Sequence, residues 1–241
     1  MANRRFDLGD KAIDALNERF EGLSGVELTT DLLTWAWEAF DGEVTASSSF
    51  QTQSAPLLHA IATTVPEMPV MFLDTGFHFP ETLAYRDELS ERLGLNLRVL
   101  TPRLGHGGFK RSHGELHRRD PDMCCYLNKV EPLEDALADY GAWVAGIRRD
   151  QTGNRSNAMP VMRRRDGLVK LGPMVTWSDS DIARYLHEHD LPSHPLLSKG
   201  YLSVGCAPCT RAVLPGEDDR AGRWAATAKT ECGLHLGTSD S

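Results

Sequence analysis

Glu43-Val44-Thr45-Ala46-Ser47-Ser48-Ser49-Phe50-Gln51 is the stretch on which the fold turns. Its first five residues read as a short strand, and the serines form a turn into a helix. That helix carries Leu57, Leu58, Ile61, Ala62 and Val65 on one face. Residues 69–73 (PVMFL) are a fully apolar strand ending at Asp74-Thr75-Gly76. Residues 80–93 read as a helix with Pro80 in its first turn, and 95–100 as a third strand. Strand, helix, strand, helix, strand, joined by a few residues each time, predicts an α/β fold with a parallel sheet.

Outward from this unit, 10–20 and 28–40 read as helices, with Leu28, Leu32, Trp35 and Ala39 as a core stripe. A helix over 131–139, a fourth strand over 142–148, a hairpin over 160–171 around Asp166-Gly167, and a capped helix over 178–189 follow. Beyond 191, prolines and glycines predict irregular structure. One domain is expected: N-terminal helices over 1–42, an α/β core over 43–190, and an appendage over 191–241.

The 241 residues are 41% hydrophobic and 25% charged, ordinary for a soluble globular chain. No apolar run suggests a signal peptide or membrane span, which points to the cytoplasm. A net charge of −8 argues against nucleic acid as the main partner. Basic residues nevertheless cluster at 103–119, at Arg148-Arg149, at Arg163-Arg164-Arg165 and at Arg220 and Arg223, which suits a small anionic substrate in a positive cleft. His113 and His117 stand four apart, but the glycines around them predict a loop that would not aim both rings at one metal.

The serine turn stands where open α/β sheets bind nucleotides, after a strand and before a helix N-terminus. Helix capping explains the serines equally well. Residues 47–54 contain neither glycine nor lysine, so a ligand with a single phosphate-like group fits better than a triphosphate.

Five cysteines in a reducing compartment are ligands or catalysts rather than disulfides. Cys124-Cys125 and Cys206-Ala207-Pro208-Cys209 supply four thiolates, the donor set of a structural zinc site or an iron–sulfur cluster. Spacing leaves the two metals open, and a dithiol redox pair at Cys206 and Cys209 is a third reading. Cys232 stands apart in Lys229-Thr-Glu-Cys-Gly-Leu-His235. Lys229 and His235 favour its thiolate, Glu231 opposes them, and Gly233 and Gly237 loosen the segment.

Taken in order, several segments resemble the assimilatory adenylyl-sulfate reductases of the APS/PAPS reductase family, over residues 43–237. They are Ser47-Ser-Ser-Phe50, Leu73-Asp-Thr-Gly-Phe-His-Phe-Pro-Glu-Thr82, Cys124-Cys125 with Lys129-Val-Glu-Pro, and Gly146-Ile-Arg-Arg-Asp-Gln151. They continue in Gly200-Tyr-Leu-Ser-Val-Gly-Cys206-Ala-Pro-Cys-Thr-Arg211, Gly222-Arg-Trp224 and Glu231-Cys-Gly-Leu-His235. The resemblance implies a Rossmann-like sheet of the adenine nucleotide α-hydrolase type, and reduction of adenosine 5′-phosphosulfate (APS) to sulfite and AMP. It implies a [4Fe–4S] cluster on Cys124, Cys125, Cys206 and Cys209, and Cys232 as the nucleophile that forms an S-sulfocysteine. Ser47, Ser48, Ser49, Leu73, Asp74, Thr75, Gly146 and Arg155 would hold the adenosine and α-phosphate. Lys129, Arg220, Arg223 and His235 would surround the sulfate.

Thioredoxin or a glutaredoxin-like dithiol would be the reducing partner, with no nucleic acid or membrane involved and a homo-oligomer left open. The branch acting on the 3′-phosphorylated substrate (PAPS) typically lacks the four cysteines, so APS is preferred. PAPS or dual specificity is the nearest alternative, and a non-catalytic nucleotide-binding iron–sulfur sensor a more distant one. An ATP-dependent tRNA-thiolating enzyme is disfavoured by the acidic charge and the turn. Two departures from the family pattern are Asn128, where a basic residue often precedes Lys129, and Gln51, where small residues are common.

Overall fold

The computed structural model describes Phe6, residues 8–225, Lys229, Gly233 and Leu234. Helices α1 (Asp10–Arg19) and α2 (Gly25–Ala39) precede strand β1 (Val44–Ser47), helix α3 (Ala55–Thr64), strand β2 (Val70–Leu73), helix α4 (Pro80–Leu93) and strand β3 (Leu97–Leu100). The repeated strand–helix unit read around residues 43–100 is therefore present, and α4 begins at Pro80 and ends on Gly94 in the left-handed conformation.

The glycine-rich stretch expected as a loop is instead helix α5 (Gly105–His113), followed by the single turn α6 (Leu116–Arg119). Phe109 is buried on α5 and meets the Phe77 ring edge-on at 6.1 Å. This tertiary contact outweighs the poor helix propensity of the glycines. His113 and His117 fall on different helices, so they do not form an i, i+4 pair.

The next helical run is interrupted: α7 (Pro121–Cys125) passes through a π turn over Tyr126–Val130 into α8 (Glu131–Leu137). Strand β4 (Ala142–Ala145), the antiparallel pair β5 (Val161–Arg163) and β6 (Val169–Leu171), and helix α9 (Asp179–Glu188) complete the fold. Ser178 caps α9 in a reciprocal box with Asp181, as its sequence predicted.

The six strands run in the order β3-β2-β1-β4-β6-β5, parallel except for β5. Helices cover the sheet and share one core with it, and β4 is buried along its whole length. Leaving β1, the chain first builds outward through β2 and β3, then returns to place β4 on the other side of β1. The carboxyl ends of β1 and β4 thus diverge and open a crevice at the switch point. Among the described residues, no helix is long and apolar enough to cross a membrane.

Candidate active site

A cleft lies at that switch point. Ser47, Ser48 and Ser49 follow β1, Leu73 ends β2, and Gly146 follows β4; all line it, together with Lys129, Arg155, Arg220 and Arg223. Gly146 keeps the floor open, since a Cβ there would lie 3.3 Å from Leu57. Phe50 anchors the serine turn: it is fully buried, packs edge-on against Phe72 at 5.6 Å, and holds φ at 49°.

Each serine hydroxyl in the turn accepts one hydrogen bond from behind. Ser47 Oγ accepts from the Trp143 indole N–H at 2.9 Å, Ser48 Oγ from the Phe50 N–H at 3.1 Å, and Ser49 Oγ from Gln51 Nε2 at 3.0 Å. No hydrogen bond among the described residues uses any of the three as a donor. Their protons remain to serve an acceptor in the cleft.

Asp74 and Thr75 do not line the cleft. Asp74 accepts from the Gly76 N–H at 3.0 Å. Thr75 is buried against the cysteines, its Oγ1 3.3 Å from Cys206 Sγ, and it also accepts from the Phe77 N–H.

The four cysteines of the frame converge on one cavity beside the cleft. Cys124 and Cys125 end α7, and Cys206 and Cys209 bracket a tight turn held by the Cys209 N–H on the Cys206 carbonyl at 2.9 Å. Burial, reinforced by the neighbouring thiols, pushes Cys124 up to about 12 and Cys209 up to about 11, while Lys129 opposes both shifts. A buried, all-sulfur donor set whose thiolates would repel one another suits a positively charged inorganic centre, which would relieve that repulsion. Among the described residues, no group of three or more His, Cys, Asp or Glu side chains is arranged to hold a single metal ion. Asn128 reaches the same cavity, donating from Nδ2 to the Cys124 carbonyl at 2.8 Å and approaching Cys124 Sγ at 3.7 Å.

Lys129 and Arg223 line both the cleft and the cysteine cavity, so one pair of cations joins the two compartments. The π turn presents Lys129. Arg223 donates to the Val204 carbonyl at 3.0 Å and stacks on Trp224 at 4.5 Å. On the other wall, Arg155 donates to Gln151.

Cleft residues that motif reading did not single out include Gln53, His78, Gln151, Trp224 and Leu234. His78 Nε2 donates to the Leu73 carbonyl at 2.8 Å, and burial lowers its proton affinity. All of these cleft residues but Gln53 stand inside the quoted motif blocks, which gave them no role of their own. Leu234, half-buried, packs against the core and lines the cleft. Cys232 and His235 lie outside the described residues.

The family model of the phosphoadenosine phosphosulfate reductase domain matches residues 43–212. An adenosine 5′-phosphosulfate reductase of Streptomyces coelicolor is 47% identical over 208 residues, covering 85% of this chain and 87% of that one. A phosphoadenosine 5′-phosphosulfate reductase of Gloeobacter violaceus is 43% identical over 209 residues, with 85% and 87% covered. Among solved structures, the phosphoadenylyl-sulfate reductase of Candida auris, a phosphate complex, superposes with a TM-score of 0.73 at 26% identity, covering 83% of this chain and 97% of that one. Motifs, sheet order and these likenesses agree: the chain belongs to the phosphoadenosine phosphosulfate reductase family.

Proposed function

We propose that this protein reduces APS to sulfite and AMP in sulfate assimilation in the cytoplasm, with a thioredoxin-type dithiol as electron donor. The observation that carries the reading is the division of the cleft. A proton-donating serine turn lines the cleft alone, whereas the Lys129–Arg223 pair borders both the cleft and the cysteine cavity. The first suits the nucleotide phosphate; the second suits a sulfuryl group.

In this reading the three serines, Leu73 and Gly146 hold the AMP moiety, and Arg155 closes that pocket. Lys129, Arg220, Arg223 and His235 balance charge on the sulfate and on the departing phosphate. The Cys232 thiolate attacks the sulfur of APS, forming an S–S bond as the S–O bond to the phosphate breaks and AMP leaves. One thiolate of the donor then attacks the Cys232 sulfur and expels sulfite. Its second thiol resolves the mixed disulfide, so the donor ends oxidised and Cys232 returns as thiolate.

Cys124, Cys125, Cys206 and Cys209 would hold the iron–sulfur cluster, whose cationic core would offset the charge of the four thiolates beside Lys129. Asp74 and Thr75 support this end of the site indirectly, Thr75 through its contact with Cys206.

Sulfite release from APS and from PAPS, measured in parallel on anaerobically purified protein with thioredoxin, tests the reading. Preference for APS with loss of all turnover in Cys232→Ser supports it. No sulfite from either substrate, or retained turnover in Cys232→Ser, overturns it. Comparable rates on both would establish dual specificity, the second reading; relatives of either name are 43% to 47% identical to this chain.

A further inference from the structure

The serine turn holds no lysine, yet it faces the cleft as a set of donors. We infer that Trp143 and Gln51 are positioning residues that fix Ser47 and Ser49 as proton donors toward a bound phosphate.

An indole N–H can only donate, so its 2.9 Å bond to Ser47 Oγ occupies an acceptor site on that hydroxyl and leaves the hydroxyl proton for the cleft. Trp143 has no freedom to do otherwise, being fully buried in β4 one strand away from Ser47. Lys170 and Arg164 stand over its ring at 5.2 and 5.7 Å. Positive charge on the ring face draws electron density from the indole and strengthens its N–H as a donor.

Gln51 acts likewise on Ser49. Its Oε1 accepts from the Val204 N–H at 2.9 Å, which fixes the orientation of the amide. Nε2 is thereby committed to donate to Ser49 Oγ. Ser48 is set by a backbone N–H that no side-chain change removes. An ionised phosphate offers only acceptors, so three hydroxyls with their protons turned outward complement it. Hydroxyls free to rotate would also present lone pairs and repel it.

This inference rests on the nucleotide reading of the cleft, and AMP binding to the full-length protein by calorimetry separates the two. Wild-type protein that fails to bind AMP, or Ser47→Ala that binds as wild type does, overturns the cleft reading together with the inference. Weak binding by Ser47→Ala with unchanged binding by Trp143→Phe overturns the inference alone. The expected result is that Trp143→Phe weakens AMP roughly threefold to tenfold, the range of one neutral hydrogen bond. In the Ser47→Ala background the same substitution should then cost nothing further. Equal losses in both backgrounds would mean that the indole only fills space, which overturns the inference.

Gln51→Met should behave in the same way against Ser49→Ala, and equal losses there overturn the Gln51 half. If Trp143→Phe does not fold, the indole resonances of ¹⁵N-labelled wild type decide, assigned through Phe variants of Trp35, Trp37, Trp177 and Trp224. AMP should shift the Trp143 Nε1–H signal in wild type and leave it unmoved in Ser47→Ala. A wild-type signal indifferent to AMP overturns the proposal.

Discussion

The guanidinium of Arg223 occupies the space that a side chain at Gly205 would need: a Cβ there would lie 2.4 Å from Nη2 and 2.5 Å from Cζ. Bare backbone at 205 is what lets Arg223 reach the Val204 carbonyl and still stack on Trp224. Cleft and cysteine cavity share this cation because one glycine leaves room for it.

Gly205→Ala is therefore expected to fold, since the clash falls on the far end of a flexible side chain, but to displace the guanidinium. Sulfite formation should fall by roughly tenfold or more, in keeping with loss of one charge-stabilising group. AMP affinity should fall less than turnover does, because the Ser47 and Ser48 hydroxyls keep their own partners, Trp143 and the Phe50 N–H. Wild-type turnover in this variant would remove Arg223 from the sulfate end.

Gly233 and Leu234 are described residues that follow Cys232 in the sequence. Gly233 sits at φ 89°, a conformation that alanine tolerates poorly, and Leu234 packs against the core beside the cleft. Gly233→Ala should cost about 1 kcal/mol or more of tail seating. Leu234→Ala should loosen it by deleting buried apolar surface. Both should lower kcat by about fivefold or more, at roughly 1.4 kcal/mol per decade, while leaving AMP binding intact. Steady-state kinetics beside calorimetry would show this; a loss confined to AMP affinity would contradict it.

His194 ties stability to pH. Its Nδ1 accepts from the Leu196 N–H at 3.2 Å, so the neutral ring carries its proton on Nε2, 3.0 Å from Thr82 Oγ1. Burial lowers its pKa to about 4. The unfolded chain, near 6.5, binds this proton more readily than the native one does. Stability from this group is full above about pH 6.5 and is lost as pH falls toward 4, by at most about 3 kcal/mol. Thermal unfolding between pH 4 and 7 should show a steeper decline in wild type than in His194→Gln, and parallel curves would remove His194 from the account.

Protein purified without oxygen should carry iron, roughly four atoms per chain for a single cubane cluster, with a visible absorption band. Cys209→Ser should lose both and still bind AMP, because Ser47, Gly146 and Arg155 do not line the cysteine cavity. Zinc in place of iron in the anaerobic wild type would return the site to the other metal that its donors permit.

Much of the sheet was legible because buried parallel strands and amphipathic helices write their periods directly into the chain. The apolar run over 69–73 and the proline at the head of α4 needed no tertiary information. The helix α5 was not legible, since its glycines argue against a helix and only the packing of Phe109 under Phe77 favours one. Nor was the setting of Thr75 legible: it follows β2 as expected, but its side chain meets Cys206, 131 positions away, rather than lining the cleft.

By itself, the sequence determined the α/β architecture, the serine turn after β1 and the two cysteine pairs, because each is a local pattern of residue type and spacing. It could not decide that Lys129 and Arg223 would serve two compartments at once, nor that Trp143 would stand behind Ser47 and the Val204 N–H would orient Gln51. Those relationships join residues about 95 to 155 positions apart, and nothing in local propensity encodes them. They arise only when the strand order reverses at β1 and β4, bringing the carboxyl ends of distant strands and the 200–224 segment to one crevice.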